Sequence, residues 1–116
     1  MSEGKPVTVV QMAEVELAPD PLDPDSILEG EPVARAAEVA RWSDGSEIGI
    51  WSISPGVVTD TEVEETFVVI SGRATLEHAG ESYELGPGSV CTFQAGAETV
   101  WRVSETLLKA YVIREV

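Results

Sequence analysis

The apolar residues of this chain come in short bursts, and each burst ends at a turn-forming residue. Phe67-Val68-Val69-Ile70 is a continuous apolar run, too short for a helix of ordinary length. Ser71-Gly72 is expected to turn it into a second run, Arg73-Ala74-Thr75-Leu76-Glu77-His78. Ala79-Gly80 then makes a tight turn into Glu81-Ser82-Tyr83-Glu84-Leu85. Gly86-Pro87-Gly88 breaks that strand and starts another over residues 89–94. After Ala95-Gly96-Ala97 the pattern predicts two more strands, over residues 99–103 and 106–114.

The first half is less regular. Residues 33–42, VARAAEVARW, read as helix on propensity alone. However, Asp44-Gly45 follows, and then Glu47-Ile48-Gly49-Ile50-Trp51-Ser52-Ile53. Asp-Gly between two apolar runs is a hairpin signal, so both flanks are predicted as strands. Upstream, Val7-Thr8-Val9-Val10 is a further β-type run. Between them lies APDPLDPDSILEG, in which Pro19, Pro21 and Pro24 remove donors and fix φ. Such a segment is neither helix nor central strand. Many short strands at this spacing imply a sandwich or a barrel.

Composition narrows the class. A chain of 116 residues with 43% hydrophobic content fits one domain with one core. No apolar run approaches about 18 residues, so no membrane span is expected. The start, MSEGKPVTVV, lacks the basic and apolar regions of a signal peptide, which predicts a cytoplasmic protein. The net charge of −14 argues against nucleic acid and anionic membranes, since both need basic patches. The single cysteine, Cys91, has no internal disulfide partner and reads as a structural thiol. The single histidine, His78, sits beside a hairpin turn and reads as a solvent-exposed bystander.

Several short motifs fall in a telling order. They are Gly30-Glu31-Pro32, Gly49-Ile50-Trp51 followed by Pro55-Gly56, and Glu65 with Gly72 downstream. Then come Gly86-Pro87-Gly88, Gln94-Ala95-Gly96, and residues 101–106 with Lys109 and Tyr111 beyond. In this order the chain resembles the small cupins grouped with the ureidoglycine aminohydrolase cupin domain, which include ethanolamine-utilisation relatives. The resemblance covers roughly residues 30–114. It implies an all-β fold, a cupin-type double-stranded β-helix or jelly-roll barrel. Residues 1–29 would form an acidic Pro/Asp-rich arm packing on the barrel, and residues 30–116 a single cupin domain. Sheet edges in such barrels are often covered by pairing, so a homodimer is expected.

The resemblance also implies a metal site, and here this sequence departs from it. The family pattern has two histidines before its Glu and a third in the second block. Only the Glu is kept, as Glu65. The preceding window reads Val58, Thr59, Asp60, Thr61 and Glu62, and Thr99 stands at the second-block histidine. One carboxylate is no transition-metal site, so no metal and no cofactor is expected. Glu62, Glu64 and Glu65 are close in sequence, but successive strand residues face opposite sides.

Strand alternation supplies the candidate chemistry. If Glu65 faces inward, so do Phe67 and Val69; if Thr99 does, so does Trp101. A buried carboxylate needs a partner or a raised pKa, and Lys109 and Tyr111, on one face of the last strand, are candidates. The predicted ligand-binding lining is Trp51, Phe67, Trp101, Lys109 and Tyr111, with Glu65 as the catalytic or anchoring group. Core packing is the alternative for the tryptophans, and structural pairing for Glu65, Lys109 and Tyr111. Three functions follow from these readings. One is a metal-free cupin binding a small organic molecule. Another is an aminohydrolase- or isomerase-type enzyme with Glu65 as acid or base. The third is a structural or regulatory protein acting through its acidic surface.

Overall fold

The computed structural model describes residues 6–114. Among the described residues are nine strands and two short 3-10 turns, one before the first strand (Met12–Glu14) and one between the first and second (Pro24–Ser26). The strands are β1 (Ala18–Pro19), β2 (Ile27–Glu29), β3 (Ala34–Arg41), β4 (Glu47–Ile53), β5 (Gly56–Thr61), β6 (Glu64–His78), β7 (Glu81–Leu85), β8 (Val90–Phe93) and β9 (Glu98–Arg114). Among the described residues, no helix is long and apolar enough to cross a membrane.

Two long strands organise the rest. β6 and β9 pair antiparallel along most of their length, from Glu64↔Arg114 to Glu77↔Val100. The second half of β9 pairs with β4, and its first half with β5. The first half of β6 pairs with β8, and its second half with β7. One face is therefore β1-β3-β4-β9-β6-β8, and the other is β2-β5-β9-β6-β7. Both share the β6–β9 ribbon, which bends from one face into the other. The result is the curled, all-antiparallel cupin barrel expected from the sequence.

The bend explains two departures from that expectation. Ser71-Gly72 does not end a strand; it is a bulge inside a continuous β6, where the register to β9 shifts. Gly72 has φ 93, and a Cβ there would land on the Thr106 carbonyl and on Leu107 Cα 2.6 Å away. Only glycine allows the two bent strands to cross so closely. The bulge also switches parity: Glu65, Phe67 and Val69 point inward before it, Ala74 and Leu76 after it. Likewise residues 99–103 and 106–114 are one strand, not two. The polar Ser104-Glu105-Thr106 looks like a loop in sequence, but it is exposed strand on the outside of the bend, with Glu105 opposite Arg73.

The β3–β4 hairpin forms where Asp44-Gly45 predicts it. Gly45 N donates to Trp42 O and Trp42 N to Ser46 O, both at 2.9 Å, while Asp44 Oδ1 accepts from Ser46 N. The β6–β7 hairpin uses a two-residue turn in which Ala79 (φ 50) and Gly80 (φ 83) are both left-handed, the turn that matches strand twist.

The N-terminal segment is woven into both faces. β1 pairs with β3 and β2 with β5, and Leu22 and Ile27 pack on the core. Pro19 lies on an edge strand, where its missing donor costs nothing. By contrast Val7–Val10 is not a strand: it is exposed and unpaired, with Val7 and Val9 at 72% and 75%. It joins no strand pair, so β propensity alone does not place it. The core itself is built on Phe67, Ile53, Leu107 and Val69, the largest side chains buried almost completely.

Candidate functional site

Alternation on β9 sends Thr99, Trp101, Val103, Leu107, Lys109 and Tyr111 inward from one strand. Lys109 lies opposite Val69 of β6 on one side and Trp51 of β4 on the other. From there its side chain reaches along the barrel interior to Glu65, with Nζ to Oε2 at 2.8 Å and both side chains 6% exposed. Three rings enclose the ammonium. Its distances to the centroids of Phe67, Trp51 and Trp101 are 4.2, 4.6 and 5.0 Å. Removing both charges from water is costly; the ion pair and the ring quadrupoles together offset it. The rings brace one another, with Trp51–Trp101 and Phe67–Trp101 centroids 5.8 and 5.7 Å apart.

A second buried carboxylate lies beside this pair. Glu62 sits in the turn from β5 to β6, pinned through its backbone: its N donates to Ala97 O and its O accepts from Gly96 N, both at 2.8 Å. Its side chain, in a residue 5% exposed, accepts at Oε2 from Thr99 Oγ1 (2.7 Å) and Trp101 Nε1 (3.0 Å). Burial pushes the Glu62 carboxyl up to about 7; the two hydrogen bonds and Lys109 pull against that, and Asp60 adds to it. Glu62 therefore changes charge near neutrality, while Lys109 is committed to Glu65.

Sequence reasoning did not single out Glu62 as a site residue. On a straight strand it would face away from Glu65, and the turn at Glu62-Val63 breaks that parity. The available signal was Thr99: a hydroxyl at an inward, apolar-flanked position needs an acceptor.

Both carboxylates open onto a cavity of about 1230 Å³ in the barrel mouth. Trp51, Trp101, Lys109 and Tyr111 also line it, and Asp20, Leu22 and Ser26 from the N-terminal segment form part of its rim. Trp51 Nε1 donates to Asp20 Oδ2 at 3.1 Å, tying the segment to the cavity wall. Phe67 does not line the cavity; at 1% exposed it backs the wall beneath Lys109. Tyr111 does not meet Glu65: its hydroxyl donates to Glu47 Oε2 at 2.6 Å, and burial, with that carboxylate next, pushes the phenol pKa well up.

The donors do not fit a transition metal. The one carboxylate kept from the metal pattern has the Lys109 ammonium on it, and no group of three or more His, Cys, Asp or Glu converges among the described residues. His78 is exposed, with Nδ1 2.8 Å from Glu98 O. Cys91 is half-buried on β8, and burial raises its thiol to about 11, which leaves it unreactive.

This fold and this sequence have relatives. The model of the EutQ-like cupin domain matches residues 41–111. The chain belongs to the EutQ-like cupin family. None of the curated proteins matches this EutQ-like cupin. A protein of unknown function from Rhizobium leguminosarum is 26% identical, with a TM-score of 0.65, over 72% of this chain and 82% of that one. Another of unknown function, from Pseudomonas syringae pv. tomato, has a TM-score of 0.80 at 23% identity, over 87% of this chain and 45% of that longer one. The Clostridium difficile EutQ protein has a TM-score of 0.72 at 14% identity, over 92% of this chain and 86% of that one. The last two support the fold alone.

Proposed function

We propose that this EutQ-like cupin binds a small organic molecule in its barrel mouth without a catalytic metal. The observation that carries this reading is the Lys109–Glu65 ion pair at the foot of an open cavity. A lysine ammonium supplies the positive charge that a metal would bring to that carboxylate. Tryptophan faces beside carboxylates in one concave site suit a small ligand with both apolar and polar parts. The test is metal analysis of protein purified without chelator, with a thermal-shift screen of small amides, amines and carboxylic acids. The expected result is no stoichiometric transition metal and a rise in Tm with one compound class. A tightly held metal in the barrel, or no shift with any class, would overturn it.

A second reading, acid–base catalysis of the aminohydrolase or isomerase kind, is favoured by one observation. Glu62 gains and loses a proton near neutrality, whereas Glu65 is held by Lys109. In that reading Glu62, not Glu65, is the acid or base. Turnover of a small amide or amine by the wild type, abolished in Glu62→Gln, would support it; turnover equal in both would reject it.

A further inference from the structure

We infer that the ligand of this cavity is a small organic cation, a primary or secondary ammonium, and that Glu62 is its anchor. The inference rests on the reading of the cavity as a ligand site and names the ligand's chemical class.

Three observations carry it. The first is the unfinished bonding of the two carboxylates. Thr99 and Trp101 both donate to Oε2 of Glu62, and Lys109 holds Oε2 of Glu65. Among the described residues, no donor reaches Oε1 of either. No wholly buried polar side-chain atom in the described residues lacks a partner, so these two oxygens keep some exposure, in residues that line the cavity. Each is an acceptor with no hydrogen to offer when ionised, and it therefore calls for an N–H or O–H from the ligand.

The second is charge. Asp and Glu outnumber Lys and Arg ten to one among the described residues lining the cavity, and Lys109 is the one cation. Lys109 cannot recruit an anion, because Glu65 neutralises it and three rings cover it. An anionic ligand would meet only like charge, whereas a cation is drawn in. The third is the wall. Trp51 and Trp101 flank the carboxylates and offer apolar faces for the carbon skeleton of an amine.

The hydrogen bonds from Thr99 and Trp101 make these two residues positioning groups. They fix the plane of the Glu62 carboxylate so that Oε1 points outward to the ligand. An ammonium placed there also supplies the counter-charge that Glu62 lacks, and it forms a charge-assisted hydrogen bond.

The experiment is a thermal-shift and calorimetric titration of the full chain with three probes of one shape: benzylammonium, benzyl alcohol and benzoate. Propylammonium is added as a smaller cation. Measurements are made at about pH 8, where Glu62 is ionised. The expected result is binding of the two ammonium probes, little of the alcohol and none of benzoate. Glu62→Gln keeps the acceptor for Thr99 and Trp101 but loses the charge, and it should weaken benzylammonium about tenfold or more. Glu81→Gln, which removes a rim charge, should change it by no more than about twofold. Preference for benzoate or benzyl alcohol would overturn the cation assignment and leave the cavity as a ligand site. Equal loss in Glu62→Gln and Glu81→Gln would overturn the anchor. No binding by any probe would overturn both the cation assignment and the reading beneath it.

Discussion

The two buried carboxylates face the same problem and solve it differently. Glu65 has the Lys109 ammonium on it, whereas Glu62 has only hydrogen bonds from Thr99 and Trp101, which offset part of the burial that favours its protonated form. For Glu62 the folded pKa of about 7 lies above the ordinary carboxylate value of 4.5. The folded state therefore holds more protons than the unfolded chain between those values. Its stabilising share is complete below about pH 4.5 and is lost as pH rises to about 7. Glu62→Gln should gain stability relative to the wild type across that window, by about 3 kcal/mol at most, and level off above it. Urea unfolding at a series of pH values measures the difference; a constant gap between the two proteins would contradict the assignment. For the ion pair, removing one partner strands a buried charge. Lys109→Met or Glu65→Gln should each cost about 3–5 kcal/mol, while Glu65→Leu with Lys109→Met should cost far less than the sum. Single losses under about 1 kcal/mol would mean that the pair is solvated.

At the scale of the element, the barrel depends on the point where β6 and β9 bend past each other. Gly72→Ala adds a Cβ against backbone atoms that cannot move aside, at a left-handed φ. The expected cost is about 3 kcal/mol or more. Gly45 also has a left-handed φ, 92, but nothing lies within 4 Å of its missing Cβ, so Gly45→Ala should cost only about 1 kcal/mol. Denaturant midpoints of the two variants separate the crossing constraint from backbone strain alone. The same crossing marks the limit of what the sequence reveals. Short apolar runs and turn residues identify β7, β8 and both hairpins, because those features depend on local chemistry. They do not show that Ser71-Gly72 and Ser104-Glu105-Thr106 lie within strands, because pairing with a distant strand decides that. Parity brings Glu65, Trp101 and Lys109 inward, since period-two alternation survives along an uninterrupted strand. Glu62 escapes it, because its inward position is set by a turn and by backbone bonds to Gly96 and Ala97. Val7–Val10 shows the converse: strand-forming residues there stay exposed and outside any strand, because propensity without tertiary pairing does not make a sheet.

For the molecule as a whole, charge is the dominant strain. The net charge is −14 on 116 residues, and the cavity gathers much of the acid at one end of the barrel. Few cations offset it locally. Arg102 reaches Glu77 at 2.8 Å and Glu29 at 3.8 Å, linking β9 to β6 and to the N-terminal segment, but these are exposed contacts of small value. Folding brings the carboxylates closer together than in the expanded chain, so their mutual repulsion destabilises the folded state. Salt screens this repulsion, with a Debye length of about 10 Å at 0.1 M. The Tm should therefore rise by several degrees as sodium chloride is added from low ionic strength to about 0.5 M, most steeply at the start. Potassium chloride should act equally, because screening does not distinguish the two cations. Binding of an ammonium ligand should weaken over the same range, since the field that attracts it is the field being screened. Scanning calorimetry at stepped salt follows both trends in one protein. A Tm that falls or stays flat with salt would mean that the acidic surface is already relieved within the fold.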